Sequence, residues 1–223
     1  YQWTKNGRKI FNATRATFTL SSANETDSGK YSVVVRNSSG KATSRNAILT
    51  VNSSPAITAQ PKKQSVTAGR KATFTVAAKG DAPLSYQWQK DGTDIAGATS
   101  ASLVIAEVQP SDAADYTVVV GNTFGQVTSA TASLTVNEGP AITANPQSQT
   151  VLAGSDVTFS VTATGTEPLR YQWKKNNANI SGATKSTVTL SKVATAAAAN
   201  YTVTVANLVG SVTSAAAPLT VNV

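Results

Sequence analysis

The tripeptide Tyr-Gln-Trp occurs three times, at Tyr1–Trp3, Tyr86–Trp88 and Tyr171–Trp173, and both intervals are 85 residues. A fixed period of that length means tandem structural units, and it outranks a domain count drawn from chain length alone. Residues 55–137 align on 140–222 without a gap, and roughly half of the positions are identical. Both copies open on Pro-Ala-Ile-Thr-Ala and close on Leu-Thr-Val-Asn. The first 52 residues match the repeat only from its Trp onward, so the expected organisation is a partial unit over 1–52 and complete units over 55–137 and 140–223.

Within a repeat, apolar residues alternate with polar ones and turn residues interrupt them every several positions, which is the signature of strands. In the second unit the predicted strands are Ala56–Gln60, Ser65–Ala68, Ala72–Ala78, Ser85–Lys90, Ser102–Ala106, Ala114–Gly121 and Gln126–Val136. Asp91-Gly92 is a hairpin signal, and Gly69, Gly80 and Gly125 punctuate the other connections. No segment between strands has room for a helix. The expected class is all-β, with about seven short strands per unit making a sandwich. No apolar run approaches the roughly 18–20 residues that span a bilayer as a helix, so no membrane insertion is expected in this segment.

Cys, His and Met are all missing from the 223 residues. Tyr1 is therefore not a translation start, and the chain is expected to be a piece of something longer. Without Cys and His there is no thiolate nucleophile, no imidazole base and no soft-ligand metal site, which removes the commonest catalytic and zinc arrangements. The net charge is +8, and residues 1–52 hold eight Lys or Arg against two acids. Lys5, Arg8, Lys9, Arg15, Lys30, Arg36, Lys41 and Arg45 are scattered at turns and alternate strand positions, without the interleaved aromatics of a single-strand nucleic-acid platform. The expectation is a solvated basic face and no nucleic-acid partner.

An ordered set of features resembles the immunoglobulin superfamily, in particular I-set-like tandem repeats of large bacterial surface and secreted proteins. A Gly (Gly69, Gly154) precedes strand B, a Trp (Trp3, Trp88, Trp173) sits in strand C, and Asp-x-Gly/Ala-x-Tyr enters strand F. That last run is Asp27, Gly29, Tyr31 and then Asp112, Ala114, Tyr116, followed by Asn37 and Gly40 or Asn122 and Gly125. The resemblance implies tandem β-sandwiches, two complete and one truncated at its N-terminal side. It also implies structural core roles for the three Trp and for Tyr31, Tyr116 and Tyr201, each Tyr hydroxyl bonding back to upstream backbone at the E–F corner. Where the family usually carries its inter-sheet disulfide, this chain has Val76 and Val161 on strand B and Val33, Val118 and Val203 on strand F. Val76 with Val118, and Val161 with Val203, are expected to face each other across the sheets. A bridge would contribute about 2–5 kcal/mol, and each buried Val about 1.5–3 kcal/mol, so the apolar pair offsets much of the loss. In the third repeat Ala197 replaces the Asp, which predicts an E–F loop that is looser or locally helical.

Candidate chemistry is thin. The acids Asp81, Asp91, Asp94, Glu107, Asp112 and Asp115 have few counterparts in the third unit, and one carboxylate, Glu138, lies in the two linkers, so neither a catalytic pair nor junction calcium is expected. No cofactor follows from the sequence. The functional expectation is a non-catalytic structural segment of an extracellular or cell-surface protein, a stiff rod or fibre component. The alternatives are an adhesin-type module binding a surface protein or glycan, and an accessory segment of a large secreted enzyme. Expected partners are neighbouring immunoglobulin-like domains of the same or identical chains. The partial first unit would leave the faces of Trp3, Val33 and Val35 open unless upstream residues or a neighbouring copy cover them.

Overall fold

A computed structural model describes all of residues 1–223, and the regular structure is strand throughout, apart from three single 3₁₀ turns. In the second unit one layer has the strand order Thr93–Asp94, Ser85–Lys90, Ala114–Asn122, Ala132–Asn137 and Gln64–Thr67, and Gly125–Thr128 also pairs with Ala114–Asn122. All its pairings are antiparallel except Ala132–Asn137 with Gln64–Thr67, which is parallel in the register Leu134 to Gln64. The facing layer is made of two short antiparallel pairs, Ala72–Thr75 with Ser102–Ile105 and Ala56–Ala59 with Ala77–Lys79. The third unit repeats this arrangement, from Ala141–Ala144 to Ala217–Asn222.

Side-chain parity explains where the core lies. Ala72, Phe74 and Val76 point inward from one layer and Tyr116, Val118 and Val120 from the other, while Thr75 and Asp115 face water. These residues, with Trp88, Leu103, Val108, Ala132 and Leu134, form one buried cluster, and the third unit has its own around Phe159, Trp173, Tyr201 and Val203.

Two predicted strands are each divided in the fold. The run Ala72–Ala78 breaks at Val76, because Ala72–Thr75 pairs with Ser102–Ile105 whereas Ala77–Lys79 turns to Ala56–Ala59. Val76 sits between the two ladders and donates its N–H to Ala101 O at 3.0 Å. Likewise Gln126–Val136 is interrupted between Thr128 and Ala132, where the Ser129 hydroxyl accepts the N–H of Val118 at 3.0 Å and donates to Ala130 O at 2.9 Å.

The first unit has a single layer: Arg8–Lys9, Gln2–Lys5, Gly29–Asn37 and Gly40–Thr43, with Ala47–Leu49 also on Gly29–Asn37. Thr17–Leu20, the counterpart of Ser102–Ile105, belongs to no strand because nothing pairs with it.

Candidate functional site

The repeated tripeptide is a local clamp. Gln87 Nε2 donates to Trp88 O at 2.9 Å and to Ile95 O at 2.8 Å, which fastens the strand to the end of the turn that follows it. Gln172 and Gln2 do the same with Ile180 and Ile10. That turn is tight because Asp91 and Gly92 both have positive φ, 49° and 78°, as a type I′ hairpin requires. Trp88 and Trp173 are fully buried, and each indole N–H donates to a backbone carbonyl, Ser100 O or Lys185 O, at 2.9 Å. Trp3 makes the equivalent bond to Arg15 O at 3.0 Å but is only partly buried.

The three tyrosines share one corner geometry. Tyr31, Tyr116 and Tyr201 donate their hydroxyls to the backbone carbonyls of Asp27, Asp112 and Ala197 at 2.7, 2.9 and 2.9 Å. Because the acceptor is backbone, Ala197 serves as well as an Asp. The carboxylates act separately, since Asp27 and Asp112 accept the N–H of Asn24 and Gln109, each at 2.9 Å, and close a 3₁₀ turn. The third unit forms the same turn at Thr195–Ala197 without that carboxylate. Burial, and then the nearby carboxylates of Asp112 and Asp91, push the Tyr116 phenol from 10.0 up to about 12, and burial also raises that of Tyr201. Both phenols therefore stay neutral donors. Val76 with Val118, and Val161 with Val203, lie within the same buried clusters as the Trp of their unit.

The linkers carry a second repeated device. Asn122 Nδ2 donates to Ser53 O at 2.8 Å and to Asp81 O at 3.0 Å, and Asn207 Nδ2 donates to Glu138 O at 2.7 Å and to Thr166 O at 2.9 Å. One amide at the tip of a hairpin thus holds the incoming linker and the loop beside it. Backbone bonds reinforce the clasp: Asp81 N to Ser53 O at 3.2 Å, and Thr166 N to Glu138 O at 3.1 Å. Gly165, at φ 139°, lies so close that a Cβ would meet Gly139 O at 2.8 Å. On the other side of the second linker, Asn137 is buried, its Nδ2 donates to Ser65 Oγ at 2.8 Å and its carbonyl accepts from Ala68 N at 2.9 Å. Asn137 therefore belongs to the unit before and Glu138 to the unit after, with no loose residue between.

The first unit presents an open apolar groove of about 300 Å³, lined by Trp3, Phe18, Leu20, Tyr31, Ala47, Ile48 and Leu49. In the complete units the second layer covers this face, with Phe74 stacked on Tyr116 and Phe159 on Tyr201 at 4.9 Å between ring centres. Here Phe18, where the other units have Leu103 and Val188, leans over Trp3 and Tyr31 at 6.0 and 6.1 Å. No group of three or more His, Cys, Asp or Glu side chains is placed to hold a metal, and every buried side-chain polar atom has a hydrogen-bond partner. No helix is long and apolar enough to cross a membrane.

Known proteins share this fold and its sequence pattern. The immunoglobulin I-set domain model matches residues 2–51 and 55–136, and an immunoglobulin domain model matches 139–207. Roundabout homolog 1 of Rattus norvegicus is 32% identical over 156 residues, 68% of this chain and 9% of that protein. The muscle M-line assembly protein unc-89 of Caenorhabditis elegans is 32% identical over 212 residues, 86% of this chain and 3% of that protein. The chain thus spans a small fraction of the relatives it matches. Among solved structures, a three-domain titin fragment, I67–I69, covers 100% of the chain with a TM-score of 0.74 at 23% identity, and 87% of that structure is matched. These relatives are animal proteins, so the expected likeness to bacterial surface repeats gains no support from them.

Proposed function

The chain belongs to the immunoglobulin I-set family, and from that premise we propose that it is a non-catalytic, rod-forming segment of a longer extracellular or cell-surface protein. Its units in this reading are 1–52, 55–137 and 140–223, and its partners are neighbouring immunoglobulin-like domains of the same or identical chains. The observation that carries the proposal is the linker clasp. Flexibility between domains needs rotatable residues that neither domain holds, and the junction at Asn137-Glu138 has none. At the first junction Asn122 clasps Ser53 O in the same way, and the grip of the preceding unit is a different contact, the Ser53 hydroxyl donating to the Glu25 carboxylate.

The chain's lack of cysteine makes the test direct. Single cysteines introduced on the outer faces of the second and third units accept spin labels, and pulsed dipolar spectroscopy reads the distance between them. A narrow distribution is expected, broadened by Asn207→Ala. A distribution as broad as that of a flexible Gly-Ser linker in the unsubstituted protein would overturn the rod. Fractionation of the native source tests the location, since recovery from cytosolic filaments would exclude the extracellular setting.

A further inference from the structure

We propose that the outer face of the first unit's sheet is a binding site for a sulfated polysaccharide. The proposal goes beyond the rod reading, since a spacer needs no ligand. Along the sequence the cations of residues 1–52 look scattered, but strand pairing gathers three of them. Thr4 stands opposite Lys9 and Ser32, Gln2 opposite Val34, Val34 opposite Thr43, and Arg36 opposite Lys41. Parity therefore puts Lys9, Thr4, Gln2, Val34, Arg36, Lys41 and Thr43 on the sheet face turned away from Trp3. Lys9, Arg36 and Lys41 line one concavity of about 360 Å³, and Arg36 and Lys41 also line an adjoining one of about 290 Å³ beside Ser38 and Ser39.

No carboxylate of residues 1–223 pairs with a cation of this face. The chain's one ion pair is Lys90 with Asp112 at 3.6 Å, in the second unit. Both acids of the first unit are engaged elsewhere: the Glu25 carboxylate accepts from Ser53 Oγ, and that of Asp27 from Asn24 N. The side chains of Lys9, Arg36 and Lys41 are exposed and take part in no hydrogen bond. The positions 85 residues on carry Asp94, Gly121 and Gln126, and those 170 residues on carry Asn179, Ala206 and Ser211, so the basic trio belongs to the first unit alone.

The geometry selects the ligand class. From Lys9 to Arg36 the sheet spans two strand spacings and four residues, a diagonal of roughly 17 Å, which suits an extended polyanion better than a single small anion. Between the charges lies Thr43, a short neutral polar group suited to a sugar hydroxyl, beside Thr4 and Gln2, whose side chains bond within the sheet. Tyr1 is the one aromatic in the concavity, too few for a base-stacking platform. The sheet's free edges are the short strands Arg8–Lys9, Gly40–Thr43 and Ala47–Leu49, and a peptide paired there would extend the sheet sideways instead of lying across the three cations.

The test uses the whole chain and a size-defined heparin oligosaccharide, with affinity measured at low and at physiological salt. Saturable binding that weakens with salt is expected. The triple variant Lys9→Asn, Arg36→Ala, Lys41→Ser, which carries the residues of the third unit, should bind about tenfold more weakly or worse, and Lys41→Ser alone should fall between. Circular dichroism confirms that each variant is folded. Lys174→Gln, Lys185→Gln, Lys192→Gln in the third unit removes the same number of cations and should leave affinity unchanged. Equal loss in both triple variants would reduce the effect to net charge and overturn the site. Competition by poly-glutamate or a single-stranded oligonucleotide as strong as by the oligosaccharide would overturn the ligand class.

Discussion

Val118 is fully buried, sits opposite Trp88 in the strand register, and shares its cluster with Val76 and Phe74. With no disulfide in the chain, contacts of this kind hold the two layers together. Val118→Ala removes two methyl groups from a site whose neighbours are fixed by ring stacking and by the ladder, so the cavity collapses only in part. A loss of about 1–3 kcal/mol is expected, read as a lower denaturation midpoint of the second unit. An unchanged midpoint would mean that the layers are held together elsewhere. The inward parity of Val118 is written in the alternation of Tyr116, Val118 and Val120, which is why such positions can be named from sequence. The role of Asn122 is less accessible. It stands in the sequence as part of a family motif, but its partner Ser53 O is 69 residues away and is backbone, which leaves no side-chain signature.

Among the elements, the three E–F turns form a natural substitution series. Asp27 and Asp112 each cap their turn by accepting the N–H three residues before them, whereas the third turn has Ala197 and leaves the N–H of Ala194 without such an acceptor. All three are 3₁₀ turns, so the carboxylate is not what makes the loop helical. Ala197→Asp should supply the missing acceptor and place a carboxylate near Lys175, whose Nζ already donates to Ala196 O at 2.6 Å. A gain of about 0.5–1 kcal/mol in the third unit is expected by chemical denaturation, and no gain would show that water already satisfies that N–H. Element boundaries mark the limit of sequence reading. Ala72–Ala78 is apolar at every second position throughout, yet the strand divides at Val76 because its two halves find different partners. Pairing across the sandwich decides that, and periodicity does not record it. The basic face has the same history: Lys9, Arg36 and Lys41 are dispersed along the chain and become neighbours only through antiparallel registers.

Across the whole molecule, stability is distributed unevenly. The second and third units each enclose a two-layer cluster, whereas in the first unit only Ala13 and Tyr31 are buried, and Ile48 and Phe11 are 75% and 89% exposed. Apolar burial is the main favourable contribution to folding, so a unit with one layer has far less to set against its chain entropy. The linker hydrogen bonds tie side-chain amides to backbone carbonyls but do not merge the cores, and each core is expected to unfold on its own. Denaturation should therefore show an early transition of residues 1–52 followed by later ones for the complete units. Each unit holds one Trp, so variants with two of Trp3, Trp88 and Trp173 changed to Phe report on one unit at a time. The Trp3 signal should move first, and acrylamide should quench it in the native protein more readily than that of Trp88. Hydrogen exchange supplies an independent reading: the amides of Thr17–Leu20, which have no ladder partner, should exchange at once, whereas those of Ser102–Ile105 should be protected to the global limit of their unit. Coincident transitions of all three Trp would show that the clasped linkers couple the cores into one cooperative body.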